Sequence, residues 1–90
     1  MQSVKEILSM LNDSDKNEIE NMLVNIGTPA VPELVEQLQV VRGLTRGVVA
    51  MTLIRLGDVS VKYLQQAAQD NKDFEWVAQY LIREIKGIAA

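Results

Sequence analysis

Apolar residues recur along the chain at intervals of three and four. Val4, Leu8 and Leu11 are spaced i, i+4, i+7, and so are Leu34, Leu38 and Val41; Leu64 and Ala68 keep the first two places and Asn71 takes the third. A second register follows each of these: Ile19, Leu23 and Ile26, then Val49, Leu53 and Leu56, then Ala78, Ile82 and Ile85. This spacing sets three side chains on one helical face, and no alternating pattern supports a strand. The registers repeat with a period of 30 residues, marked by Gly27, Gly57 and Gly87; the third copy fits best if its preceding connection is one residue shorter. Each unit therefore predicts two amphipathic helices. One such hairpin cannot hide its apolar face alone, but three stacked hairpins share a continuous core. The expected helices span residues 3–12, 15–26, 29–41, 45–56, 59–70 and 73–86. They form one domain over residues 1–90, with repeats over 1–27, 28–57 and 58–87.

Capping residues agree with these boundaries. Ser3 suits an N-cap, with Glu6 completing a capping box. Ser14 or Asp13 suits the start of the second helix. Thr28 and Pro29 suit the N-cap and first position of the third, with Pro32 still in its first turn, where a proline ring costs little. Thr45 is expected to open the fourth helix and Asp58 the fifth, and Asp70 to Asp73 form the break before the sixth. Gly27, Gly57 and Gly87 fall where a left-handed C-terminal residue belongs.

Composition narrows the function classes. Ninety residues suffice for one modest core, and 48% apolar with 23% charged residues is ordinary for a soluble globular chain. Cys and His are both absent. Disulfides and thiolate metal sites are thereby excluded, and so are imidazole ligands and the usual general base. The net charge of −3 and the lack of a basic block give nucleic acid no electrostatic footprint. No apolar run approaches the ~20 residues of a membrane span. The opening segment MQSVKEILSMLND is too polar for a secretory signal, so a cytoplasmic protein is expected. No Gly-rich phosphate loop, serine-nucleophile motif or zinc-helix motif occurs, and acids on a thin array of helices lack the dry cleft that acid–base chemistry needs. A non-catalytic protein without cofactor or metal is the expectation.

Residues 26–38, Ile-Gly-Thr-Pro-Ala-Val-Pro-Glu-Leu-Val-Glu-Gln-Leu, resemble the HEAT-like repeat, and in particular the variety found in phycobilisome-lyase-type (PBS lyase) proteins. The second half of that pattern, Val-Arg-x-x-Ala-Ala-x-Ala-Leu-Gly-x-Ile-Gly-Asp, is matched by residues 45–58, from Thr45-Arg46 to Gly57-Asp58. The third repeat is partial, lacking the Val-Arg pair and carrying Lys86 where the glycine falls; the first keeps the apolar columns and Ile26-Gly27. The resemblance implies an α-α superhelix, an armadillo-like solenoid of three stacked hairpins. It also implies a scaffold or adaptor for protein–protein interaction, binding its partner on the concave face. Some relatives are accessory subunits of bilin lyases for phycobiliproteins or act in phycobilisome degradation, which is the alternative role.

In that repeat type the second helix of each pair lines the concave side. The columns opposite the core are Asn17/Gly47/Trp76, Asn21/Met51/Tyr80 and Asn25/Arg55/Glu84, polar at one end and aromatic at the other. Trp76 and Tyr80 share a face. With Met51, Arg55 and Arg83 they are the candidate partner-binding residues, since Trp, Tyr and Arg are enriched at binding hot spots. The competing role for Trp76 is to cover the end of the last repeat or to pack on the preceding pair. Phe74 is expected to pack in the last inter-helix turn. Arg46 holds the repeat's arginine position, which implies a structural bond beside Asp58. Arg42, Arg46 and Arg55, with Lys62 near in sequence, give the middle repeat a basic tint, either a solvated face or a patch for an acidic partner. Asp13, Asp15, Glu18 and Glu20 favour a helix N-terminus over a calcium site, because the calcium-loop pattern is missing. The apolar excess at Val4, Ile7, Leu8, Met10 and Leu11, and the tail Ile88-Ala89-Ala90, suggest a homo-oligomer built through exposed terminal repeats.

Overall fold

A computed structural model describes residues 3–12 and 14–89; the side chains of Asn12, Ile88 and Ala89 are outside the description. The described residues are all helical in their regular structure, without strands. Five helices run eight to fifteen residues: α2 (Lys16–Ile26), α3 (Val31–Leu38), α4 (Gly43–Leu56), α5 (Val61–Asp70) and α6 (Glu75–Ala89). They follow a one-turn helix, α1 (Val4–Leu8), which continues into a tighter 3₁₀ turn over Ser9–Asn12. Three more 3₁₀ turns, Thr28–Ala30, Gly57–Ser60 and Lys72–Phe74, lead into α3, α5 and α6.

Each turn has a local cause. The Ser3 hydroxyl accepts the Glu6 N–H at 3.1 Å, the first half of the expected capping box. The cap of α2 is Asp15, whose Oδ1 accepts the Asn17 N–H at 2.6 Å; it is not Ser14, and Asp13 lies outside the described residues. Asn71 Oδ1 likewise accepts the Asp73 N–H, which makes the break before α6 an Asx turn. Thr28 does not cap. It is the first residue of a 3₁₀ turn that ends before α3, and Pro32 then sits in the first turn of α3 as expected. Nor does Thr45 open α4, which begins two residues earlier behind an extended Arg42. The third helix stops at Leu38, three residues short of expectation, because Gln39 and Val40 form a turn before that extended residue.

The three periodic glycines are not equivalent. Gly27 and Gly57 have φ near 80° but ψ of −150° and −141°, so they are not left-handed helical. They occupy a region essentially reserved for glycine, and they redirect the chain sharply out of α2 and α4. Gly87 lies inside α6, which runs on to Ala89.

The core is the apolar register made physical. Val4, Leu34 and Leu64 are buried, and so are Ile19, Val49 and Ala78; Leu23 and Leu53 are buried, while Ile82 at the end of the chain is half-buried. Within pairs, α1 packs on α2, α3 on α4 and α5 on α6; between pairs, α1 meets α3, α3 meets α5, α2 meets α4 and α4 meets α6. The molecule measures 33 × 27 × 22 Å. The apolar excess on α1 is consumed inside it: Val4, Ile7 and Leu8 are buried, and Met10 and Leu11 pack against them. Two buried hydroxyls are satisfied locally. Thr52 Oγ1 donates to Val48 O at 2.7 Å, and Ser60 Oγ donates to Leu53 O at 2.9 Å, which ties the turn after α4 back to an end carbonyl of that helix.

Candidate functional site

Since the core register fixes which side of α2, α4 and α6 faces inward, it also fixes which side is left over. All nine residues of the opposite columns are exposed: Asn17, Asn21 and Asn25 on α2, Gly47, Met51 and Arg55 on α4, and Trp76, Tyr80 and Glu84 on α6. The five candidate partner-binding residues, Met51, Arg55, Trp76, Tyr80 and Arg83, therefore all reach solvent. Trp76 is 71% exposed, and Phe74, two residues earlier, is the buried aromatic.

Sequence reasoning missed Leu44. It is 58% exposed and lies seven residues before Met51, on the same stripe of α4. The signal was partial: Leu44 falls outside the Val49/Leu53/Leu56 register, but so does Val48, which is buried. Of the six large apolar side chains that are exposed among the described residues, Leu44, Met51, Trp76 and Tyr80 belong to the adjacent helices α4 and α6; Val40 and Val59 lie in turns. Leu44 and Met51 share one stripe of α4, and Trp76 and Tyr80 share one stripe of α6. Leu44, Gly47 and Met51 also wall a groove against Lys16, Asn17 and Glu20 of α2.

Polar contacts brace the patch. Arg55 Nη1 donates to Asn21 Oδ1 at 2.8 Å and to Glu20 Oε1 at 3.2 Å, bridging α4 to α2. Arg46 does not bond beside Asp58. It sits in the first turn of α4, whereas Asp58 follows the last turn, which puts the two at opposite ends of the helix. Arg46 instead lines a shallow pocket with Gln39, Asn71, Asp73, Trp76 and Val77, and it has no hydrogen bond or ion pair among the described residues. Lys62 belongs to α5 and is not part of this face. From Gln37 to Gly57 there are three arginines and no acid, so α4 is positive within a chain of net charge −3.

A wider groove of 730 Å³ opens between α5 and α6 at the C-terminal end of the molecule. Ala68, Ala78 and Ile82 form its floor, and Gln65, Gln79 and Arg83 are among its rim. Among the described residues no three His, Cys, Asp or Glu side chains gather closely enough to hold a metal ion, and no helix is long and apolar enough to cross a membrane. No family model, curated protein or solved structure matches the chain.

Proposed function

We propose that the chain is a non-catalytic protein–protein interaction scaffold of HEAT-like repeats acting in the cytoplasm. In this proposal the three hairpins stack as a short α-α superhelix, and the exposed sides of α2, α4 and α6 form its concave, partner-binding surface. The observation that carries it is that Leu44, Met51, Trp76 and Tyr80 stay exposed on two helices that pack against each other. Large aromatic side chains left more than half exposed contribute nothing comparable to the fold. They supply contact area to a partner with little rotamer entropy to lose. The pairing of α2 with α4 and of α4 with α6 supports the stacked arrangement, because each hairpin then covers the face that its neighbour cannot bury alone.

The test is the double variant Trp76→Ala with Tyr80→Ala. Its thermal unfolding should match the wild type, because both side chains are exposed, while capture of a co-purifying partner should be lost. Equal capture by both proteins would overturn the assignment of the face.

A further inference from the structure

We propose that the groove between α5 and α6 is a binding site for a small amphiphilic anion, of the class of a medium-chain carboxylate; the proposal is independent of the scaffold reading above. The groove encloses 730 Å³, within the range of about 300–1,000 Å³ usual for small-ligand sites. Its floor is apolar. Ala68 and Ala78 hold the register places that Leu38 and Val49 fill in the middle hairpin, and their short side chains leave a recess beside Ile82. Such a floor gains from an apolar chain laid over it and offers nothing to a free inorganic anion.

Charge sets the head of the ligand. The charged residues in the walls are Glu75, Arg83 and Lys86, all on α6. Glu75 stands at one end, and Gln79 Nε2 donates to its Oε1 at 3.3 Å. Arg83 and Lys86 stand about 12 and 16 Å further along the helix at 1.5 Å per residue. They share a face at i, i+3, and neither has an ion pair among the described residues. The neighbouring charges do not cancel them. Glu84 belongs to the column of Tyr80, on another side of α6. Asp58, in the turn that packs on α6, and Lys62, in the first turn of α5, are exposed and opposite in sign. Lys72 and Asp73, in the turn before α6, are also opposite in sign, and Asp70 walls a different groove against α3. Two free cations thus close one end of an apolar floor, with the acid of the walls at the far end. A carboxylate head complements that end, and an extended tail runs back over Ile82 to Ala78, about 12 Å at the same rise. A cationic head there is repelled.

The experiment is a titration of the isotope-labelled full chain with decanoate, below its micelle-forming concentration, followed by amide chemical shifts. Amides around Gln65, Ala68, Ala78, Ile82 and Arg83 should move and saturate, while Trp76, the only tryptophan and outside the groove, keeps its emission. Arg83→Gln/Lys86→Gln, at two exposed positions, should keep its circular dichroism and bind about fivefold more weakly, as expected for two exposed charge contacts. Decyltrimethylammonium, with the same tail and a cationic head, should leave the groove amides where they are. Equal shifts with the cationic amphiphile, or equal affinity in the double variant, would overturn the charge selection. Shifts confined to residues outside the groove, or none at all, would overturn the site. Co-sedimentation with anionic phospholipid vesicles without any shift by free decanoate would assign the two cations to a membrane surface and overturn the free ligand.

Discussion

Glycines at the same place in the repeat carry different energies. Gly57 turns the chain out of α4 at φ 78°, and no neighbouring atom crowds its missing Cβ, so the penalty for a side chain there is purely backbone strain. Gly57→Ala should lower the unfolding free energy by about 1–3 kcal/mol. Gly47, helical and uncrowded, should behave oppositely: Gly47→Ala should raise stability by about 0.5–1 kcal/mol. Urea melts of the two variants beside the wild type decide both signs. Equal effects would mean that the turn at Gly57 is not the strained one. The same logic accounts for what the sequence could not display. A 30-residue spacing marks three glycines alike, but only the surrounding chain decides that Gly27 and Gly57 end helices while Gly87 continues one.

For the elements, the apolar register was legible because burial follows helical periodicity. Ile19, Leu23, Leu34, Leu38, Val49, Leu53 and Leu64 were all placed inward by spacing, and all are buried. Element ends were less legible, because several residues compete for one cap: Asp15 took the place that Ser14 or Asp13 also suited, and Thr28 was absorbed into a 3₁₀ turn. The exposed columns were legible as the complement of the core. The Arg55 bridge was not, because it depends on how α2 and α4 are juxtaposed. These two kinds of contact differ in worth. Leu53→Ala, at a fully buried position, should cost about 2–5 kcal/mol in a denaturant melt. The exposed Arg55–Glu20 pair should show a coupling of only about 0.2–1 kcal/mol in a double-mutant cycle, falling as salt is raised. A coupling comparable to the leucine effect would make Arg55 a structural pin rather than part of a surface open to a partner.

Across the whole molecule, the first and last helix pairs differ from the middle pair in a way that bears on self-association. Aligned by register, Val35, Ala50 and Ile54 of the middle hairpin correspond to Gln65, Gln79 and Arg83 of the last. The middle three are buried or packed on the core, and the last three are exposed around the groove between α5 and α6. The floor of that groove, Ala68, Ala78 and Ile82, keeps the inward columns but with smaller side chains at two places, where Leu38 and Val49 stand in the middle hairpin. In the stacked arrangement proposed above, a polar rim over a shallow apolar floor is what an end-capping unit requires. At the other end, the apolar excess of α1 that suggested a homo-oligomer is occupied within the fold. Restoring the middle hairpin's residues at the rim, as Gln65→Val, Gln79→Ala and Arg83→Ile together, should therefore turn a solvated end into an adhesive one. Sedimentation velocity over a range of concentrations should show the triple variant forming larger species under conditions where the wild type sediments at a lower, constant rate. If the two proteins sedimented alike, solubility of this end would depend on something other than those three polar side chains, and its role as a cap would fall.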